Sequence, residues 1–235
     1  MSIKSLGKES LIYGTGHVIA RLVTFFLLPI YTHVFSPKEY GIISLAYAFI
    51  GFALMFYRYG MDTALMKYSV QLTGKDRTSY ISSIYILQLI SAIVFSTILF
   101  FAKGYVSEPI LGIENPDWII FISWILVLDN LWNHHVLLLR AENKAMPFIL
   151  FNVGNVTLTM VFNIIFITKW NLGIEGVLMA NLSASSIIFI LSLPIMIKRI
   201  SLFQIESKTI KNIIKFGLPF LPAGIFTMIM ELSNR

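Results

Sequence analysis

Apolar runs long enough to cross about 30 Å of hydrocarbon recur along the whole chain. They predict spans at residues 10–31, 40–57, 80–101, 118–139, 148–168, 173–197 and 213–232. Between them stand turn-forming residues: Ser36-Pro37, Gly74, Pro109 with Gly112, Asn115-Pro116, Asn171 with Gly173, and a polar run from Lys198 to Lys211. The expected fold is all-α, a polytopic membrane bundle of six transmembrane helices plus a seventh. The first run opens on basic residues like a signal peptide, but it is too long, and no small-residue cleavage site follows. It is expected to remain as a helix.

Composition sharpens this reading. With 57% hydrophobic and 13% charged residues, the chain cannot be a soluble domain around one buried core. Cysteine is absent, which excludes a disulfide framework, a thiolate metal site and a cysteine nucleophile. The net charge of +6 is not spread as a basic stripe interleaved with aromatics, so no nucleic-acid partner is expected. Topology accounts for the excess. With the N-terminus in the cytoplasm, the inside segments hold Lys4, Lys8, Lys67, Lys75, Arg77, Arg140, Lys144, Lys198, Arg199, Lys208, Lys211 and Lys215, and the outside ones only Lys38, Lys103 and Lys169. This positive-inside bias predicts a cytoplasmic N-terminus. The linker at residues 198–215 mixes charges with Ile200, Leu202, Phe203 and Ile205. It reads either as a loop held by anionic lipid or as a hinge joining two bundles.

The informative residues are the polar ones inside the spans. Arg21 falls about 16 Å into the first span, near the bilayer midplane, where a charge normally faces a bundle interior or a wet cavity. Tyr13 and His17 precede it at four-residue spacing and share its helix face. On the oppositely directed fourth span, Asp129 reaches roughly 18 Å of depth. It is placed to pair with Arg21, either as a packing device or as part of a cavity. Asn133 lies one turn further along that face. On the fifth span Asn152, Asn155, Thr159 and Asn163 form a single stripe. Amides there serve either as glue between helices or as substrate contacts. Arg58 and Asp62 form an i, i+4 pair at the end of the second span, expected as an interfacial salt bridge or gating pair. Adjacent His134 and His135 diverge by about 100° on a helix, with no carboxylate or histidine four residues away, so no metal is expected. They are expected as headgroup contacts or pH-sensitive hydrogen-bond donors. No catalytic or nucleotide motif stands in any loop, which argues against an enzyme.

Four stretches, LLPIYTHVFSPKEYGIISL (27–45), RYGMDTALMKY (58–68), LGIEGVLMANLSA (172–184) and IKFGLPFLPAGI (214–225), resemble the polysaccharide and O-antigen flippases of the multidrug/oligosaccharidyl-lipid/polysaccharide exporter superfamily. The resemblance implies a six-helix N-terminal lobe at 1–197, a basic cytoplasmic linker at 198–212, and the first helix of a second lobe at 213–235. It further implies a multi-pass protein of the bacterial inner membrane that flips undecaprenyl-diphosphate-linked oligosaccharide by alternating access for O-antigen, capsule or exopolysaccharide synthesis. A glycan polymerase and a chain-length regulator are the implied protein partners, beside membrane lipids. No cofactor is implied. Coupling to an ion or proton is expected through Asp129 or His17. In that setting Arg21, His17, Tyr13, Asp129, Asn133, Asn152, Asn155 and Thr159 line the cavity, and Arg21 binds diphosphate or acidic sugar through its planar fork. A drug exporter on the same fold and a non-transporting glycan-assembly factor are the alternatives.

Overall fold

The computed structural model describes residues 25–233, with residues 14, 16, 18, 19 and 22 ahead of them. Tyr13, His17 and Arg21 lie outside the described residues. The described chain is helical throughout, without a strand. It runs α1 (Phe25–Val34), α2 (Pro37–Arg58), α3 (Met61–Gln71), α4 (Gly74–Leu111), α5 (Trp118–Ala141), α6 (Ala145–Asn163) with a π-helical turn at Ile164–Lys169, α7 (Gly173–Ile197), α8 (Ser207–Gly217) and α9 (Phe220–Ser233). Four helical stretches among them are long and apolar enough to span a membrane: α2, α4, α6 with its π turn, and α7. The chain is a multi-pass membrane protein.

Local chemistry sets the boundaries. Ser36 caps α2, its side chain accepting from the Glu39 backbone while Glu39 reaches back to the Ser36 backbone, and Pro37 occupies the first turn where no amide is needed. Gly112, left-handed at φ 64°, stops α4 just beyond Pro109.

Two expectations change here. The second span does not run out into a loop: Tyr59 and Gly60, at φ 30° and 82°, break the helix, and α3 restarts it at Met61. The predicted seventh span at 213–232 is two helices, because Leu218-Pro219 interrupts it. Residues 207–217 form the strongly amphipathic α8, whose Thr209, Ile213 and Gly217 are buried.

The core sits around α5. It is long enough to span, yet it is absent from the apolar set because Asp129, Asn130, Asn133, His134 and His135 interrupt it. A helix with such a middle must be sheltered from lipid, and α4 and α7 pack along it, joined by α2, α3 and α6. One apolar cluster joins Ala46, Ile50, Tyr57, Ile119, Ile122 and Leu126. Another joins α3, α5 and α8 through Met61, Leu65, Leu138 and Ile213. By contrast α6 buries little: Met146, Leu150 and Val161 are exposed along it.

Candidate functional site in the interior of the bundle

Asp129 stands near the middle of α5. Its Oδ1 accepts from the indole of Trp132 at 2.9 Å and from the Ser185 hydroxyl of α7. Asn181, one turn before Ser185, lies 3.3 Å from the same hydroxyl. Asn181 is also within hydrogen-bonding reach of Tyr47 on α2, and Tyr47 of Tyr31 on α1. Tyr31 donates to Asn163 Oδ1 at 2.9 Å, and Asn163 donates back to the Thr159 carbonyl of its own helix at 2.8 Å. A relay of polar side chains therefore crosses the bundle from α6 through α1, α2 and α7 to Asp129, hydrogen-bonded at Tyr31–Asn163 and Ser185–Asp129 and in close approach through Tyr47 and Asn181. Such a chain rigidifies the packing when every member is satisfied, and it offers a path along which hydroxyl orientations can switch.

The stripe on α6 divides. Asn152 and Thr159 bond to the carbonyls four residues back, at 2.7 and 2.9 Å, and neither side chain bonds to another helix among the described residues. Asn155 keeps an amide nitrogen without a partner among the described residues. All three are half-buried on a helix that is otherwise poorly covered. Gly16 is buried against this helix, where a Cβ would meet Ile149 Cγ2 at 2.6 Å. Asn133 is half-buried and makes no side-chain hydrogen bond among the described residues.

The Arg58 and Asp62 pair is real but differs from a helix-surface pair. Nη1 and Oδ2 approach to 3.4 Å across the α2–α3 break, so each carries one helix end: Arg58 the last turn of α2, Asp62 the first turn of α3. Asp62 also faces α5, where its Oδ1 lies 3.7 Å from His134 Nδ1. Arg58 is within electrostatic reach of Asp129 as well, and so links the two acidic positions.

His134 and His135 are both fully buried, which corrects the expectation of headgroup contact. Ser192 donates to the Phe189 carbonyl and so accepts from His135 Nδ1 at 2.8 Å, leaving Nε2 to accept from Tyr85 at 3.1 Å. That arrangement selects one neutral tautomer.

Sequence reasoning did not find the tightest charge cluster. Glu142, just beyond α5, accepts from Arg199 through both carboxylate oxygens, from Arg77 at 3.1 Å and from Lys144 at 2.9 Å. Arg77 also donates to the Ser69 carbonyl. The bonds from Arg199 above all hold the Glu142 carboxyl down at about 2. One acid thereby ties the ends of α3, α4, α5 and α7 together at the basic end of the bundle. Toward the other end, a groove between α4 and α5 lined by Ser96, Thr97, Phe100, Ile120, Ser123 and Trp124 carries no charge.

This interior sets two buried hydroxyls against basic groups, Ser192 against His135 and Ser185 against Asp129. Its chemistry is that of a polar seam: buried amides, hydroxyls and three charged side chains that can bind, orient or exchange protons.

A family model described as polysaccharide biosynthesis protein matches residues 6–235. No curated protein matches the chain. Among solved structures, the fold is similar to that of a MOP superfamily transporter from Pyrococcus furiosus Vc1 (DSM3638), with 18% identity and a TM-score of 0.75 over 95% of this chain and 52% of that one. It is also similar to a MATE protein solved in complex with Br-NRF, with 19% identity and a TM-score of 0.77 over 97% and 57%. An outward-facing MATE multidrug resistance transporter of the same superfamily gives 17% and 0.73 over 94% and 52%. The chain thus spans about half the length of the transporters it matches. Over nearly its whole length it belongs to the polysaccharide biosynthesis protein family, and its fold is similar to about half of a MOP superfamily transporter.

Proposed function

We propose that this chain is the N-terminal lobe of a non-enzymatic flippase that moves an undecaprenyl-diphosphate-linked oligosaccharide from the inner to the outer leaflet of the bacterial cytoplasmic membrane, by alternating access, for O-antigen, capsule or exopolysaccharide synthesis. The observation that carries this reading is the family match over residues 6–235 on a chain with a transporter fold. The half-buried Asn152, Asn155 and Thr159 support it: polar groups on the least covered spanning helix suit a wet cavity better than lipid. In this reading Arg21, with Tyr13 and His17, lines that cavity and holds the diphosphate through paired charge-assisted hydrogen bonds. Asp129 supplies an exchangeable charge at the far end of the relay. Arg77, Lys144 and Arg199 gather at the bundle end assigned to the cytoplasm, as the positive-inside rule requires.

The similarity to MATE multidrug transporters favours a second reading, export of drugs on the same fold. Deletion of the gene separates the two. Loss of a flippase accumulates lipid-linked oligosaccharide in the inner leaflet and depletes surface glycan. Raised drug sensitivity with normal surface glycan would instead establish the second reading.

A further inference from the structure

We propose that His134 and Asp62 form a proton-binding site at the α2–α3 break. The inference does not depend on the cargo. His134 has no exposed surface, and neither ring nitrogen has a hydrogen-bond partner among the described residues. A neutral imidazole with its proton on Nδ1 reaches the Asp62 carboxylate only at 3.7 Å and leaves Nε2 an unmade acceptor in a dry interior, which is costly. Protonation turns both nitrogens into donors and converts the 3.7 Å approach to Asp62 into a charge-assisted pair.

The surroundings favour that proton. Asp62 lies in the first turn of α3, where the helix N-terminus favours an anion. Two carboxylates, Asp62 and Asp129, share the influence of one guanidinium, Arg58, whose Nε is itself unpartnered. A cation on His134 adds a second positive charge beside Asp62. The groups facing His134 are few. From α3 there is Asp62, and from α2 Arg58 behind it. From α4 comes Tyr85, with ring centroids 6.4 Å apart and its hydroxyl engaged by His135. His135 points away to Ser192 of α7, and no other charged side chain pairs with His134 among the described residues. His135, satisfied on both nitrogens, is the built-in control.

The placement gives the proton a mechanical consequence. Directly beside Asp62, a Cβ on Gly60 would fall 2.0 Å from the Gly217 carbonyl, so the break is in backbone contact with α8. A charge gained at this joint alters the Arg58–Asp62 pairing where α8 begins the path to α9.

The test is the protonation state of His134 in the full chain in lipid nanodiscs. Asn133-His134 is the single Asn-His step in the sequence, so carbonyl-labelled asparagine with nitrogen-labelled histidine assigns this ring without a substitution. Ring nitrogen shifts are followed from pH 9 to pH 4.5. The expected result is that the ring gains its second proton within that range, and gains it only at lower pH in Asp62→Asn. Should Asp62→Asn fail to insert, Arg58→Gln is the second arm, and there the midpoint rises. A ring that stays neutral to pH 4.5, or a midpoint unmoved in whichever variant folds, overturns the proposal.

Discussion

Individual polar side chains carry more of this molecule's character than its greasy surface does. Asp129 was visible in the sequence because a carboxylate inside an apolar run is rare. Its partners were not, because Ser185 and Asn181 are ordinary in a membrane helix and tyrosines near span ends read as interfacial. Only the crossing of α1, α2 and α7 turns Tyr31 and Tyr47 into links of one relay. Glu142 escaped notice for a similar reason: a lone acid in a basic loop shows its three cationic partners only after the helix ends meet. It yields a prediction. Its carboxyl is held near 2 when folded against an ordinary value near 4.5, so the stabilisation is fully present above about pH 4.5 and is lost as pH falls toward 2. Glu142→Gln should lower the thermal unfolding midpoint in micelles by a few degrees at pH 7. The gap to the unmodified protein should close as pH falls from about 4.5 to about 2. A gap that is constant over this window would mean that the charge is not what holds the four helix ends.

At the scale of elements, hydropathy located the long helices well. The predicted sixth span, 173–197, coincides with α7, and the second, fourth and fifth agree to within a few residues. Hydropathy missed the interruptions. Leu218-Pro219 interrupts an apolar stretch without ending it, so the window averages across it; the second span ends before Tyr59-Gly60, and α3 beyond the break is too polar for hydropathy to find. What fixes them is backbone geometry and contact, and the two glycines that meet there respond differently to a methyl group. Gly60 combines φ 82° with a Cβ position 2.0 Å from a backbone oxygen. Gly217 would meet the tip of the flexible Met61 side chain at 2.4 Å, which can move aside. Gly60→Ala should therefore cost about 2 kcal/mol or more, and Gly217→Ala about 1 kcal/mol or less. Thermal unfolding of both variants decides it, and equal losses would show that the two helices are not locked at this joint.

For the whole molecule, the bundle presents one end braced by Glu142 and a helix, α6, whose polar stripe is only partly covered by the lobe. The orientation is open to direct test, since the chain has no cysteine to give background. Single cysteines at Lys75, Lys144 and Lys198 should resist a membrane-impermeant thiol reagent added to intact cells, and those at Glu114 and Asn171 should react. Labelling of the first three from outside would invert the topology.

The central claim is that the full-length protein flips a diphosphate-linked glycolipid and that Arg21 holds its charge. It is tested most directly by reconstituting that protein in proteoliposomes loaded with lipid-linked oligosaccharide and following the glycan's exposure at the opposite leaflet. The account predicts translocation by the unmodified protein, its loss in Arg21→Ala at normal abundance, and partial recovery in Arg21→Lys, which keeps the charge but not the planar fork. Failure to translocate while drugs are exported, or full transport in Arg21→Ala combined with Asp129→Ala, would contradict it.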